Sequence, residues 1–399
     1  MKAGWKTKSL GEILLKTETV NPAATPEDEF EYIDVSSVSN ETYEIEVTQQ
    51  LKGKDAPSRA RRLVKAGDVI FATIRPTLQR IARVPASLDG QVCSTGYFVM
   101  RPYPELDAQY LFYSLFTEQF MSGMESLQKG ASYPAVTDAE VRSQQISYPS
   151  VQEQRRIVTL LDEAFADIAT AKANAEKNLQ NARELFTRIS GSVLDQYAST
   201  SQSITLEDLV EPDCSLSYGI VQPGDEVAEG LHIVRPVDMN TDLVMLEGLK
   251  RIDPALANPY ARTTLKGNDI LLCVRGTTGT VALAHSELAG ANVTRGIVPI
   301  RFAPEKISHQ FGYYLLRSEP AQVQIQAKTY GTALQQINIR DLRQLTLPVP
   351  ASQDQEIIVQ RLSALEEETK HLTAAFVNKL TALDDLKKSL LNQAFSGFL

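Results

Sequence analysis

The sequence predicts an α+β protein: two pseudo-symmetric globular domains, joined and separated by two long antiparallel helices that form an intramolecular coiled coil. Three features lead there. The chain repeats itself at an offset of 200 to 201 residues: Arg75 lies in DVIFATIRPT and Arg275 in DILLCVRGTT, Gly96 ends STG and Gly296 ends TRG, and PSVQEQRRIV from Pro149 returns as PASQDQEIIV from Pro350. Repeats of that size are duplicated domains, because solenoid units run to only about 20–50 residues. Residues 152–195 and 353–396 keep a sustained 4–3 apolar spacing, the seam of a coiled coil. Short β-branched and aromatic runs, punctuated by Gly, Pro, Asn and Ser, fill what lies before each of them.

Taken in order, residues 1–150 form the first globule, with strand-like runs at 32–35, 68–74 and 91–99 and helical patterns at 107–127 and 137–142. Thr137-Asp138-Ala139-Glu140 has the form of a capping box. Residues 151–200 hold the central helix, whose seam is Ile157, Leu161, Ala164, Ile168, Ala171, Ala175, Asn178, Ala182, Leu185, Ile189 and Val193. Residues 201–350 repeat the first globule, with strands at 231–234, 269–274 and 291–300, a helical run at 308–328 and a short helix at 338–342. Residues 351–399 hold the distal helix, with Ile358, Leu362, Leu365, Thr369, Leu372, Phe376, Lys379, Leu383, Leu386, Leu390 and Ala394 at the seam, each 201 residues after its counterpart. Alanines fill one seam where bulky side chains fill the other, which favours pairing of the two helices with each other; an intermolecular coil is the alternative. About 44 residues at 1.5 Å each make a rod of roughly 65 Å.

Composition narrows the function classes. With 399 residues, 43% hydrophobic and 22% charged, the chain can bury two sizeable cores and is neither disordered nor a membrane protein. No apolar run reaches the 18 or so residues that cross a bilayer, and Met1-Lys2-Ala3-Gly4-Trp5-Lys6 lacks the apolar stretch of a secretory signal, so a cytoplasmic protein is expected. Cys93, Cys214 and Cys273 are odd in number and far apart, as buried thiols are; His232, His285, His309 and His371 have no metal-ligand spacing. The net charge of −9 is spread over all four segments, so nucleic-acid binding requires local basic clusters or partner subunits that neutralise phosphate. Catalytic signatures are missing: there is no G-x-x-x-x-G-K-[ST] loop, no strand-borne G-x-G-x-x-G and no G-x-S-x-G elbow. Asn258-Pro259-Tyr260 is only part of an amino-methyltransferase motif, and Glu368-x-Lys370 is half of a nuclease motif on a charged helix face. The chain is therefore expected to perform no covalent chemistry.

The duplicated pattern resembles the specificity subunit of type I restriction-modification systems, over essentially the whole chain. The resemblance rests on Trp5 with Ser9-Leu10-Gly11-Glu12-Ile13, residues 61–68, Gly130-Ala131-Ser132 and residues 149–158, and on their second copies Ile204 to Leu209 in ITLEDL, residues 262–269, Gly331-Thr332-Ala333 and residues 350–359. It implies that residues 1–150 and 201–350 are target recognition domains, each reading one half of a split, asymmetric site on double-stranded DNA. It implies that the helices set the spacer and dock two methyltransferase subunits, with restriction/translocase subunits completing a phage-defence complex. No cofactor is then expected on this chain; S-adenosylmethionine, ATP and Mg would sit on the partner subunits.

Candidate contacts follow from residue chemistry. Six positive charges fall within fourteen residues, at Lys52, Lys54, Arg59, Arg61, Arg62 and Lys65, and their role is phosphate or base contact; Arg262 and Lys266 are the only counterparts. Arg75, Thr77, Gln79 and Arg80, and in the second copy Arg275, Thr277 and Thr278, follow the repeated strand, and Arg, Gln and Thr are types that read base edges. Thr95 and Arg295 sit in the STG and TRG turns. Lys129, Ser132 and Tyr133, and Lys328, Tyr330, Thr332, Gln335 and Gln336, lie in or beside the KGASYPAV and YGTALQQI loops. Positions that differ between copies are the better specificity candidates. For partner docking the candidates are Gln152, Gln154, Arg155, Gln353 and Gln355 at the helix starts. A coiled-coil adaptor whose globules bind protein rather than DNA is the rival reading.

Overall fold

The computed structural model describes residues 4–130, 132–332 and 334–399. Ala131 and Ala333, in the two repeated loop motifs, and the first three residues lie outside the described residues. The chain divides into two compact units, Met1–Ala175 with Asn378–Leu399, and Glu176–Val377. The division falls inside the two long helices, Val151–Asp195 and Ser352–Ser396, so each unit takes a share of both.

In the first unit a four-stranded sheet runs in the order Gln49–Lys52, Glu29–Ile33, Val92–Ser94, Ala60–Leu63. A three-stranded sheet runs Ile81–Arg83, Val69–Ala72, Tyr97–Met100. Lys6–Ser9 pairs antiparallel with Gln145–Tyr148, bringing the start of the globule to its end. The second unit repeats these themes with one strand redistributed: three strands in the order Lys250–Ile252, Leu231–Val234, Asn292–Val293, and four in the order Leu243–Val244, Val281–Ala284, Ile270–Cys273, Ile297–Ile300. Gln202–Thr205 closes on Thr346–Val349 as before.

The run expected as one strand at 91–99 is two, Val92–Ser94 and Tyr97–Met100, which enter different sheets. The turn between them needs a residue without a side chain: a Cβ on Gly96 would meet Val35 Cγ2 at 2.5 Å, and one on Gly296 would meet Pro236 Cγ at 2.6 Å. The helical runs at 107–127 and 308–328 also break in two. Thr117 caps a fresh helix, Glu118–Leu127, by accepting from Phe120 N–H, and Pro320 stands in the first turn of Glu319–Ala327, where its missing N–H does no harm.

Both long helices are part of the cores. In the first unit Ile157 and Leu161, from the start of the central helix, join Leu391 and Ala394, from the end of the distal one, with Leu10, Phe71, Phe98 and Tyr110. In the second unit Phe186, Val193 and Leu194 join Ile358 and Leu362 with Leu206, Phe311 and Leu315. Within each unit the start of one helix lies against the end of the other, which is antiparallel intramolecular pairing. Lys172 Nζ reaches Asp384 Oδ1 across the first pair at 2.7 Å. The 4–3 seam of the central helix is buried or half-buried through Ala182 except at Asn178, which is exposed. Beyond it Phe186 and Ser190 are buried where Leu185 and Ile189 were expected, while Val193 keeps its place, and on the distal helix Leu372, Lys379 and Leu386 are exposed, with Lys387 turned inward in place of Leu386. A helix of 3.6 residues per turn drifts about 20° per heptad against a strict 3.5 repeat, and with that drift the side chains of the globule take part in selecting the inward residue, as Tyr43 does at Lys387.

Candidate nucleic-acid interface

The repeated K-A/G-x-D turn builds the frame. Asp68 accepts Lys65 N–H at 2.8 Å and is gripped by Arg101 Nε and Nη2, both at 2.8 Å. Asp269 accepts Lys266 N–H at 2.7 Å and Arg301 Nη1 at 2.6 Å. Both carboxylates are buried, so the acid that opens each repeated strand run is an interior anchor. From it the strands Val69–Ala72 and Ile270–Cys273 run outward to the loops that hold the candidate contacts.

Three loops converge at each strand end. In the first unit Thr73 N–H and Oγ1 donate to Gly96 O at 2.8 and 3.0 Å, Arg75 N–H to Pro134 O at 2.6 Å, and Val136 N–H to Thr73 O at 2.9 Å. Lys129 and Ala135 exchange two 2.9 Å bonds that close a hairpin, and Thr95 N–H donates to Arg59 O at 2.8 Å. In the second unit Val274 N–H donates to Gly296 O at 2.7 Å, Ile337 N–H to Val274 O at 3.0 Å, and Gly276 N–H to Gln335 O at 2.9 Å, while Tyr330 and Gln336 exchange two 2.9 Å bonds. One bonding scheme thus gathers Arg59, Arg75, Thr77, Gln79, Thr95, Ser132 and Tyr133 on one unit. On the other it gathers Arg275, Thr277, Arg295, Tyr330, Thr332, Gln335 and Gln336, with Lys328 two residues before Tyr330.

Arg75 and Gln79 hold φ of +50° and +53°, a left-handed backbone that costs non-glycine residues about 1 kcal/mol or more each. In the second copy glycines take the strain at Gly276 and Gly279. The Arg75 guanidinium lies 5.1 Å from the Tyr133 ring centroid and donates to Ser132 O at 3.4 Å; Tyr133 is 72% exposed. A flat cation stacked on an exposed ring presents both a phosphate or base-edge donor and a stacking face. In the second unit Tyr218 joins the cluster: its hydroxyl donates to Ile337 O at 3.2 Å, and burial pushes its pKa up against the pull of Arg295 and Arg275. Sequence reasoning missed Tyr218 because the stretch after Val210 shares no motif with its counterpart after Leu14.

Several candidates do other work. Arg62 pairs with Asp138 at 2.8 Å, and Arg80 Nη1 donates to Val35 O and Val38 O at 3.2 and 2.8 Å. Thr278 is buried and donates to Gln335 O. Gln154, fully buried, accepts from Asp107 N–H and donates to Glu105 O and Pro149 O; Gln355 repeats this with Ser308, Lys306 and Pro350. These five were expected at DNA or a partner. They hold the loops and the helix starts, and the buried Thr278, Gln154 and Gln355 do so because a buried polar group must find its partners inside the chain. The basic cluster disperses in the same way: Lys52 and Lys54 reach Glu27, Lys65 reaches Glu18, and Arg61 donates to Ala60 O. Lys129 reaches Glu140 and Lys266 reaches Asp213 and Glu211, although exposed pairs of this kind are weak and open readily to a phosphate. Among the described residues, Arg59, Arg262, Arg275 and Arg295 have no ion pair. At the helix starts Gln152, Arg155 and Gln353 are exposed, with Arg155 3.9 Å from Asp107.

A family model for the type I restriction modification DNA specificity domain matches residues 2–179 and 251–382. The chain belongs to that family. This specificity chain is similar to the Escherichia coli type I restriction enzyme EcoBI specificity subunit, at 23% identity over 79% of this chain and 70% of the relative. It is similar in structure to a chain from work on complex assembly and conformational transition of the type I R-M system, with a TM-score of 0.85 and 25% identity over 99% of this chain and 98% of that one. The HsdS subunit of Thermoanaerobacter tengcongensis gives a TM-score of 0.64 at 25% identity, over 100% and 98% of the two chains. DNA specificity in a type I restriction-modification system is accordingly the function of the chain, and the adaptor reading is not favoured. Among the described residues no helix is long and apolar enough to cross a membrane, and no group of three or more His, Cys, Asp or Glu side chains could hold a metal ion.

Proposed function

We propose that each globule of this specificity chain reads one half of a split, asymmetric site on double-stranded DNA, and that the two long helices set the spacer and dock two methyltransferase subunits, alongside restriction/translocase subunits. The chain contributes recognition and no catalysis; S-adenosylmethionine, ATP and Mg act on the partner subunits. The observation that carries this is the pair of three-loop faces, built by the same hydrogen bonds yet carrying different side chains: Arg75, Gln79 and Tyr133 on one, Arg275, Gly279, Tyr330 and Gln336 on the other. A shared frame with divergent tips is what two readers of different base sequences require, since phosphate contacts set register and base-edge contacts specify. Gln152, Arg155 and Gln353 are the exposed residues at the helix starts that suit a protein partner.

The test is the methylated-adenine map of cells carrying the complete system, with the gene intact, deleted or altered. A split motif present only with the gene is expected. Gln336→Ala should relax one position in one half only, by about 1–3 kcal/mol of discrimination. Arg59→Ala should weaken binding across sequences and flatten the salt dependence by about one unit of slope. Loss of both halves of the motif together in a folded Gln336→Ala protein would overturn the division of reading between the globules.

A further inference from the structure

Each globule is fastened to the long helices by a box of side chains at matching positions, and the two boxes use opposite chemistry. In the first unit Lys387 Nζ of the distal helix lies 5.1 Å from the Tyr43 ring centroid and 5.2 Å from that of Phe165, and Tyr43 packs edge-on against Phe116 at 4.6 Å. In the second unit Arg317 of the globule lies 4.8 Å from the Phe186 ring centroid, bonds Glu366 and reaches Asp242 at 3.3 Å. Lys370 closes on Asp242 at 3.5 Å. Phe165 and Glu366, Phe186 and Lys387, and Phe116 and Arg317 are each 201 residues apart. At the matched helix position the first box has the cation Lys387 and the second the ring Phe186, and the globule answers with Tyr43 in one and Arg317 in the other.

Both boxes continue into a recognition loop. Tyr43, with φ of +58°, sits in a turn closed by the Val38–Ile45 bridge, and Val38 O accepts from Arg80 at the end of the 75–80 loop. Asp242 O accepts Leu283 N–H at 2.8 Å, in the strand Val281–Ala284 that follows the 275–280 loop. We propose that Lys387 with Tyr43, and Glu366 with Arg317 and Asp242, are positioning residues that fix the angle of each recognition loop on its helices and so set how strictly the spacer length of the target is enforced. A cation held between rings, or within a carboxylate pair, resists tilting of the globule in a way that apolar contact alone does not, because its attraction depends on direction.

This rests on the split-site reading above, and the experiment separates the two. The full chain, assembled with its methyltransferase and restriction partners in cells, is compared by methylated-adenine mapping with Lys387→Met, Lys387→Arg and Glu366→Gln. Lys387→Met keeps the stem and removes the cation. Sites whose spacer is one base pair longer or shorter should gain methylation on the order of fivefold relative to the parent spacing, with base preference in both halves unchanged. Lys387→Arg, which keeps a cation over the rings, should behave as the parent, and Glu366→Gln should broaden spacing like Lys387→Met. An unchanged spacer distribution in folded Lys387→Met and Glu366→Gln proteins, or a change in base preference instead, overturns the positioning role. If Lys387→Met does not fold, Tyr43→Ala carries the same test. If the parent chain gives no split motif, the split-site reading falls, and the positioning role falls with it.

Discussion

Asp269 has a fully buried side chain, and the Arg301 side chain bonded to it is only 10% exposed. Charge at such a depth is tolerated because acceptor and donors are matched: Lys266 N–H and the guanidinium divide the carboxylate between them. Deleting one partner leaves a desolvated charge, so Asp269→Ala is expected to cost about 3–5 kcal/mol in urea unfolding. A loss below about 1 kcal/mol would mean that Arg301 finds water or Glu211 without penalty. The repeated aspartate was visible in the sequence at the same step in both copies. Its partner was not, because Arg101 and Arg301 lie more than thirty residues further along and only the fold brings them back. Gln154 and Gln355 show the converse. Their repetition suggested a surface for a partner, whereas burial shows a repeated structural need, the tying of a helix start to the chain that precedes it.

At the scale of elements, the short helix Asp138–Arg142 shows how a local sequence rule extends into the proposed recognition face. Thr137 and Glu140 form the capping box that the sequence predicts, and Glu140 also reaches Lys129 at the base of the hairpin. The Thr137 N–H, then Lys129 and the Thr137 hydroxyl, hold the Glu140 carboxyl down at about 2, from an ordinary 4.5. A depressed carboxylate contributes stability that is fully present above its unfolded value and is lost as pH falls through its folded one. The hairpin is therefore expected to loosen between about pH 4.5 and pH 2, and Glu140→Gln should flatten that dependence. Amide exchange of Lys129 and Ala135 as a function of pH measures it; identical profiles for the two proteins would sever the link. The broken strands at 92–100 and the split helices were not legible from periodicity, because a glycine that admits a neighbouring side chain looks the same in sequence as one in any turn.

At the scale of the whole molecule, the two helices carry the ruler expectation. Seven residues inserted at matched positions in both add about 10 Å of helix while keeping the apolar face in phase. On the proposed reading the methylated motif gains about three base pairs of spacer at 3.4 Å each. Mapping of methylated adenines in the doubly extended protein checks it, and an unaltered spacer would refute the ruler. Extending one helix alone should abolish methylation, since within each unit both helices contribute to one core.

The sequence by itself determined the duplication, the two long helices, the family and the positions of the loops proposed to carry recognition. Each of these rests on period, offset or motif, which are local or repeating properties of the text. Tertiary structure decided which of the polar side chains in those loops are free. Arg80 and Thr278 are spent on backbone carbonyls, Arg62 on Asp138, and Tyr218 enters from a stretch that shares no motif with its counterpart. It also decided which residue of each helix turns inward once the heptad drifts. The physical reason is the same in both cases: a side chain's partners are chosen by what lies within a few ångströms, and for these residues those neighbours come from distant parts of the chain.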